Sequence, residues 1–184
     1  MTLQSNRLLL RPWRDADRAP YAELALDPVA MQFLASPARP ETPDGWIDRQ
    51  IARMAQGEPA YLAVERRDTH EFVGAVGLTH TAYEAHFTPA IQVGWRLLRR
   101  HWGQGYATEA AGAALDYGFT ALAAEEIVAV TVPANLLSQQ VMQRLGMTRS
   151  AADDFDHPRL PEGDPLRRHV LYRITRARWL ARQG

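Results

Sequence analysis

The segment from Gly94 to Ala110 (Gly-Trp-Arg-Leu-Leu-Arg-Arg-His-Trp-Gly-Gln-Gly-Tyr-Ala-Thr-Glu-Ala) constrains the fold more than any other stretch of this sequence. It reads as the end of a strand (Pro89 to Leu98), a glycine-containing loop (Arg99 to Gly105) and the start of a helix (Tyr106 to Leu122). The helix carries Ala107, Ala111, Ala114, Leu115 and Leu122 on one broad stripe, and a stripe made mostly of alanine calls for a closely packed neighbour. Gly103 and Gly105 remove side chains where backbone N–H groups can converge. The loop then runs into a helix N-terminus, whose unpaired N–H groups and dipole favour an anion. Arg99 and Arg100 add fixed positive charge. These features together describe a pyrophosphate site, although a lone Gly-x-Gly after a strand is often only a tight turn. A Walker loop is excluded because no Gly-Lys-Ser/Thr follows. A dinucleotide fingerprint is poor, since no third glycine stands at the required offset.

The remaining elements arrange themselves around this segment. Alternation from Gln4 to Trp13 predicts a strand. Asp15 or Asp17 can cap a helix through Leu26, which Asp27-Pro28 ends. Thr42-Pro43 is a helix start, followed by Ile47, Ile51 and Met54 on one face and closed by Gly57. Ala60 to Glu65 and Phe72 to Thr79 form a hairpin. Ile127 to Val132 is a buried strand that Pro133 stops. Asn135 caps a helix with Leu137, Val141 and Leu145 on its inner face and Gly146 just beyond its end. Ala151 to Leu166 reads as a surface loop, and Arg168 to Ile174 as the last strand. Hairpin strands first, then strands alternating with helices, predict a mixed α/β (α+β) sheet with helices on both faces.

A chain of 184 residues, 46% hydrophobic and 23% charged, fits one domain spanning 1–184. It has no cysteine, so disulfides, zinc ribbons and thiol nucleophiles are excluded. The formal net charge is zero, which gives no global field for nucleic acid. No apolar run approaches the ~20 residues of a membrane helix, and the N-terminus lacks a signal-peptide layout, so a cytoplasmic location without membrane partners is expected. Asp154, Asp156 and His157 make a weak ligand set on a proline-broken loop, and no metal is expected.

The run Arg100-x-x-Gly103-x-Gly105, with Tyr106-Ala107-Thr108-Glu109-Ala110 after it, resembles the acetyl-CoA-binding motif of the GNAT (GCN5-related) N-acetyltransferases. Trp102 before the first glycine resembles the RimJ/RimL-like branch. Three further segments agree in order: Arg7 to Trp13, Phe72 to Leu78, and Asn135-x-x-Ser138-x-x-Val141-Met142-x-x-Leu145-Gly146-Met147. The resemblance covers about residues 3 to 176.

This resemblance implies a mostly antiparallel central sheet whose strands splay apart around acetyl-CoA. It implies that the backbone of Trp95 and Leu97 pairs with the pantetheine arm. Arg100, Gly103, Gln104, Gly105, Tyr106 and Ala107 would make up the pyrophosphate loop. Asn135 would touch pantetheine or only cap its helix. The implied reaction is direct attack of a primary amine, on a protein N-terminus or a small molecule, on the thioester in a ternary complex. Family dimers lean the expectation towards a homodimer.

The sequence departs from the superfamily at two places. Met142 stands where many members carry a tyrosine acid; the resemblance to the RimJ/RimL-like branch, in which a serine one turn earlier is a proposed acid, implies Ser138 as the catalytic candidate, and alternatively Ser138 only bonds its own backbone. Gln92 stands where relatives often carry a glutamate base. Glu84, His80, His86, Asp154, Asp156 and His157 are candidate replacement bases, each alternatively a solvated loop residue, and an acidic loop from Asp153 to Asp156 could meet a cationic amine. Glu109 reads as structural, near a helix N-terminus. The alternative function is a non-catalytic CoA-binding or regulatory module that has lost acid and base.

Overall fold

The computed structural model describes residues 1–34 and 41–182. The N-terminal alternation forms a hairpin rather than a single strand: β1 (Leu3–Gln4) pairs antiparallel with β2 (Leu8–Arg11), Leu3 opposite Leu10. The break falls at Ser5, whose Oγ accepts from Leu8 N at 3.2 Å while its own N–H donates to Leu8 O at 3.0 Å. A serine closing a turn in this way competes with continued strand.

The chain then forms α1 (Arg18–Leu26), α2 (Pro28–Met31) and α3 (Pro43–Ala55). Asp27 ends α1 but also starts α2, since its Oδ1 accepts from Val29 N and Ala30 N. Thr42 caps α3 through Gly45 N at 3.1 Å, as its sequence predicts. Next come β3 (Tyr61–Arg66), β4 (Phe72–His80), β5 (Ile91–Leu97), α4 (Tyr106–Thr120), β6 (Glu126–Thr131) and α5 (Leu136–Arg144). The chain ends with β7 (Thr148–Arg149), β8 (Phe155–Asp156), β9 (Arg168–Thr175) and α6 (Arg176–Leu180). The predicted surface loop therefore contains β8, and α6 extends the chain beyond the predicted last strand.

The strands follow the order β1-β2-β3-β4-β5-β6-β9-β7, with β8 paired to β9 off that path. All pairings are antiparallel except β5 with β6, which α4 connects as a crossover. The sheet is thus mixed and mostly antiparallel, as expected. One face carries α4, α5 and Trp179 of α6, packed on Leu8, Val76, Val93, Ile127 and Val170. The other carries α1 and α3, where Trp13, Tyr21, Trp46 and Phe72 form an aromatic cluster. Phe87, Phe155, Val128 and Leu171 make a smaller cluster. Among the described residues, no helix is long and apolar enough to cross a membrane.

A buried ion triad ties the first hairpin to the third strand. Arg11 donates to Glu65 Oε2 at 2.6 Å and to both Asp17 oxygens at 2.7 and 2.8 Å. Side-chain exposure is 6% for Arg11 and 4% for each acid, so neither partner has water to fall back on. Asp17→Ala leaves the guanidinium buried and half paired, and should cost about 3–5 kcal/mol in urea unfolding. A loss below about 1 kcal/mol would show that the triad is not what holds β2 to β3.

Candidate active site

The site begins where β5 and β6 separate. Their ladder holds only Ile91 with Ile127 and Gln92 with Val128. Beyond Gln92, β5 continues against β4 alone, through Val93, Gly94, Trp95, Arg96 and Leu97. Leu98 N donates to Val73 O at 3.0 Å. Antiparallel alternation then turns the amides and carbonyls of Trp95 and Leu97 away from β4, into the opening. Trp102 Nε1 donates to Leu97 O at 2.8 Å and occupies one of these edge groups.

A cavity of about 260 Å³ fills the opening. It brings together Trp95, Leu97, Gly103, Gly105, Tyr106, Ala107, Asn135 and Ser138 from segments far apart in sequence. Gly105 has φ +80°, left-handed backbone in which a side chain is strained. α4 follows directly, and its first intrahelical bond of this turn, Glu109 N to Gly105 O, leaves the amides of Tyr106, Ala107 and Thr108 without helical acceptors. Two buried polar atoms of the lining, Thr108 Oγ1 and His101 Nε2, have no hydrogen-bond partner. His101 Nε2 lies 3.3 Å from Glu71 Oε1 but out of hydrogen-bond alignment.

On α5, Asn135 is doubly engaged. Its Oδ1 accepts from Ser138 N at 3.2 Å and its Nδ2 donates to Thr131 Oγ1 at 3.0 Å, so it caps the helix while facing the cavity. The Ser138 hydroxyl makes no hydrogen bond among the described residues, including to its own backbone. Met142 is buried in the core at 2% exposure and is no part of the lining. Leu137, read as inward-facing, is 58% exposed and lines the cavity instead.

Arg100 and Gln104 stand outside the lining. The Arg100 guanidinium binds Glu23 at 2.6 Å and Glu71 at 3.2 Å, and Gln104 Nε2 turns back to Arg100 O at 3.0 Å. Arg99 Nη1 is 3.8 Å from Asp27. The free positive charge expected from Arg99 and Arg100 is therefore already neutralised by acids on other elements. Arg144 lines the cavity in their place. Sequence reasoning also missed α2 and the residues after it, which contribute Val29, Ala30, Phe33 and Leu34. Glu109 is structural as expected: it accepts from Ser5 Oγ, Arg7 N and Arg7 Nε, each at 2.7 Å. Burial works to raise its carboxyl, but these bonds outweigh it and hold it below the ordinary range.

The candidate bases of the acidic loop are largely committed elsewhere. Asp153 pairs with Arg173, Asp154 with Arg149, and Asp156 with Arg168. The loop thus offers little free negative charge for a cationic amine. His157 packs on Tyr83 at 4.4 Å and His169 at 5.1 Å between ring centroids. Burial first, then His169 and Arg159, push its imidazole down to about 4. Among the described residues, no group of three or more His, Asp or Glu is placed to hold a metal ion.

The sequence matches the family described as Acetyltransferase (GNAT) domain over residues 7–148, and the chain belongs to that family. It is by class an N-acetyltransferase. An Aspergillus fumigatus protein named FsC-acetyl coenzyme A-N(2)-transacetylase is 31% identical over 99% of this chain and 79% of its own. The crystal structure of an acetyltransferase from Agrobacterium tumefaciens superposes with a TM-score of 0.75 at 29% identity, covering 95% of this chain and 94% of that one. Mycobacterium smegmatis RimJ, solved in complex with CoA-disulfide, shares the fold with a TM-score of 0.76 at 22% identity, over 100% of this chain and 95% of that one.

The neutral His157 has a consequence for stability. An unfolded histidine takes a proton near pH ~6.5, whereas the folded one refuses it until about 4. Stability should therefore fall as pH drops from 6.5 towards 4, because the unfolded chain binds more protons there. His157→Phe should flatten that part of the urea-midpoint profile; an unchanged slope would mean that other groups set it.

Proposed function

We propose that the chain transfers the acetyl group of acetyl-CoA to a primary amine by direct attack in a ternary complex. The observation that supports this best is the cavity between β5 and β6, which joins a free strand edge, a glycine loop at a helix N-terminus and an unpartnered hydroxyl. The edge amide and carbonyl of Trp95 and the edge amide of Leu97 suit the amide groups of pantetheine, as an added strand would, while Trp102 holds the Leu97 carbonyl. The loop and first turn of α4 suit the pyrophosphate, with the free amides of Tyr106, Ala107 and Thr108 at the helix N-terminus.

With acetyl-CoA as donor substrate, the neutral amine attacks the thioester carbonyl and its proton passes to solvent or a nearby base. The Trp95 N–H, directed into the opening, would stabilise the tetrahedral oxyanion. The Ser138 hydroxyl would give a proton to the departing thiolate. Asn135 would hold the start of α5, and so Ser138, in place. We place this activity in the cytoplasm.

The alternative, a non-catalytic CoA-binding module, draws on Met142, which is buried and cannot act as acid, and on Gln92, which cannot accept a proton. Thiol release decides between the two. Acetyl-CoA should bind in calorimetric titration in preference to ATP or NAD, and thiol should appear only with an amine. Ser138→Ala should lower kcat by about 10²-fold with a much smaller change in acetyl-CoA affinity; equal loss of both would make Ser138 a cofactor contact. Gly105→Val should abolish binding, because φ there excludes a β-branched residue.

A further inference from the structure

The charges around the cavity point to the kind of amine it takes. Gln92, Gly94 and Arg96 alternate along β5 with the residues that face α4, so they share the α1/α3 face. At Gly94 the Tyr61 hydroxyl lies so close that a Cβ would collide with it. The Arg96 guanidinium lies over the Trp46 ring, 4.8 Å from its centroid, and 5.9 Å from that of Tyr61. Its Nη1 donates to the Tyr21 hydroxyl at 3.1 Å. These contacts fix the guanidinium while using one of its five N–H groups.

Among the described residues, no carboxylate pairs with Arg96. The residues outside the description carry no Asp or Glu. The cavity lining contains Arg96 and Arg144 but no acid at all. Most arginines that flank the site, Arg7, Arg99 and Arg100 among them, have acidic partners. A half-buried, pre-oriented cation without a counter-charge at the edge of a cavity is costly unless something anionic joins it. Val29, Phe33 and Leu34 also line the cavity and give it apolar surface.

We propose that the acceptor is a small amine bearing a carboxylate and an apolar side chain, the chemistry of an α-amino acid, and that Arg96 is the specificity-determining residue that binds the carboxylate. The inference rests on the reading of the cavity as an acetyl-CoA site. A guanidinium braced by aromatic rings presents its remaining N–H groups to a carboxylate, which the fork geometry of arginine suits. The same acid-free lining repels a polyamine, whose second ammonium finds no partner.

Acetyl-CoA titration of the wild-type protein comes first: absence of binding removes the donor reading, and this inference with it. With binding established, thiol release is followed for a panel of apolar α-amino acids, their amides and spermidine. The free amino acids should exceed their amides in kcat/KM by about 10- to 100-fold, the range of a charge-assisted hydrogen-bonded pair. Arg96→Gln should collapse that ratio, chiefly through KM of the carboxylated substrate, and Arg96→Lys should keep part of it. The inference is overturned, with the donor reading intact, by any of three results: amides or spermidine used as well as the free amino acids, no turnover of any carboxylated amine, or an unchanged ratio in Arg96→Gln.

Discussion

β5 and β6 share a ladder of only two residues, and the rest of the site depends on that brevity. Had the strands stayed paired, the amides and carbonyls of Trp95 and Leu97 would have been consumed within the sheet. Their separation is enforced at both ends. Trp102 places its indole on the Leu97 carbonyl, and Pro133, which has no N–H, stands two residues beyond Thr131, where β6 ends. The crossover helix α4 keeps the two strands in one sheet while its N-terminus closes the far side of the gap. The cavity is therefore a property of the topology, and side chains decide only what it accepts.

The opening reaches both faces of the sheet, and each face contributes different chemistry. On the α4 side lie backbone amides and Arg144 from α5. On the α1 side lie an apolar wall and one guanidinium braced by aromatic rings. Rigidity comes from outside the cavity. The Arg11 triad locks β2 to β3, and Glu109 fastens the first hairpin to the first turns of α4, so the glycine loop is anchored on a helix that cannot drift from the sheet.

What the sequence revealed and what it concealed divide along the range of the interactions. Thr42 and Asn135 act as caps where the sequence places them, because a cap depends on residues three positions away. The glycine loop and α4 are equally local. Arg100 could not be read correctly, since the acids that neutralise it, Glu23 and Glu71, lie on segments far from it in the chain. α2 was hidden because Asp27-Pro28 is both a stop for one helix and a start for the next. Leu137 followed the apolar spacing of α5, yet faces the cavity; periodicity identifies a non-polar face but not whether core or ligand covers it.

Gln92 cannot accept a proton, which changes the proton problem rather than abolishing the proposed reaction. An amine must shed its charge before it attacks, and a carboxylate base would both attract the ammonium and remove its proton. Here the charged lining is cationic, and Gln92 adds no negative charge on the same face of β5. A neighbouring cation disfavours the ammonium form and lowers the amine pKa. A site of this kind takes its acceptor already deprotonated and needs only a route for the proton to solvent. The trade is selectivity: an acceptor without its own anion would meet the same repulsion and gain nothing from Arg96 in return.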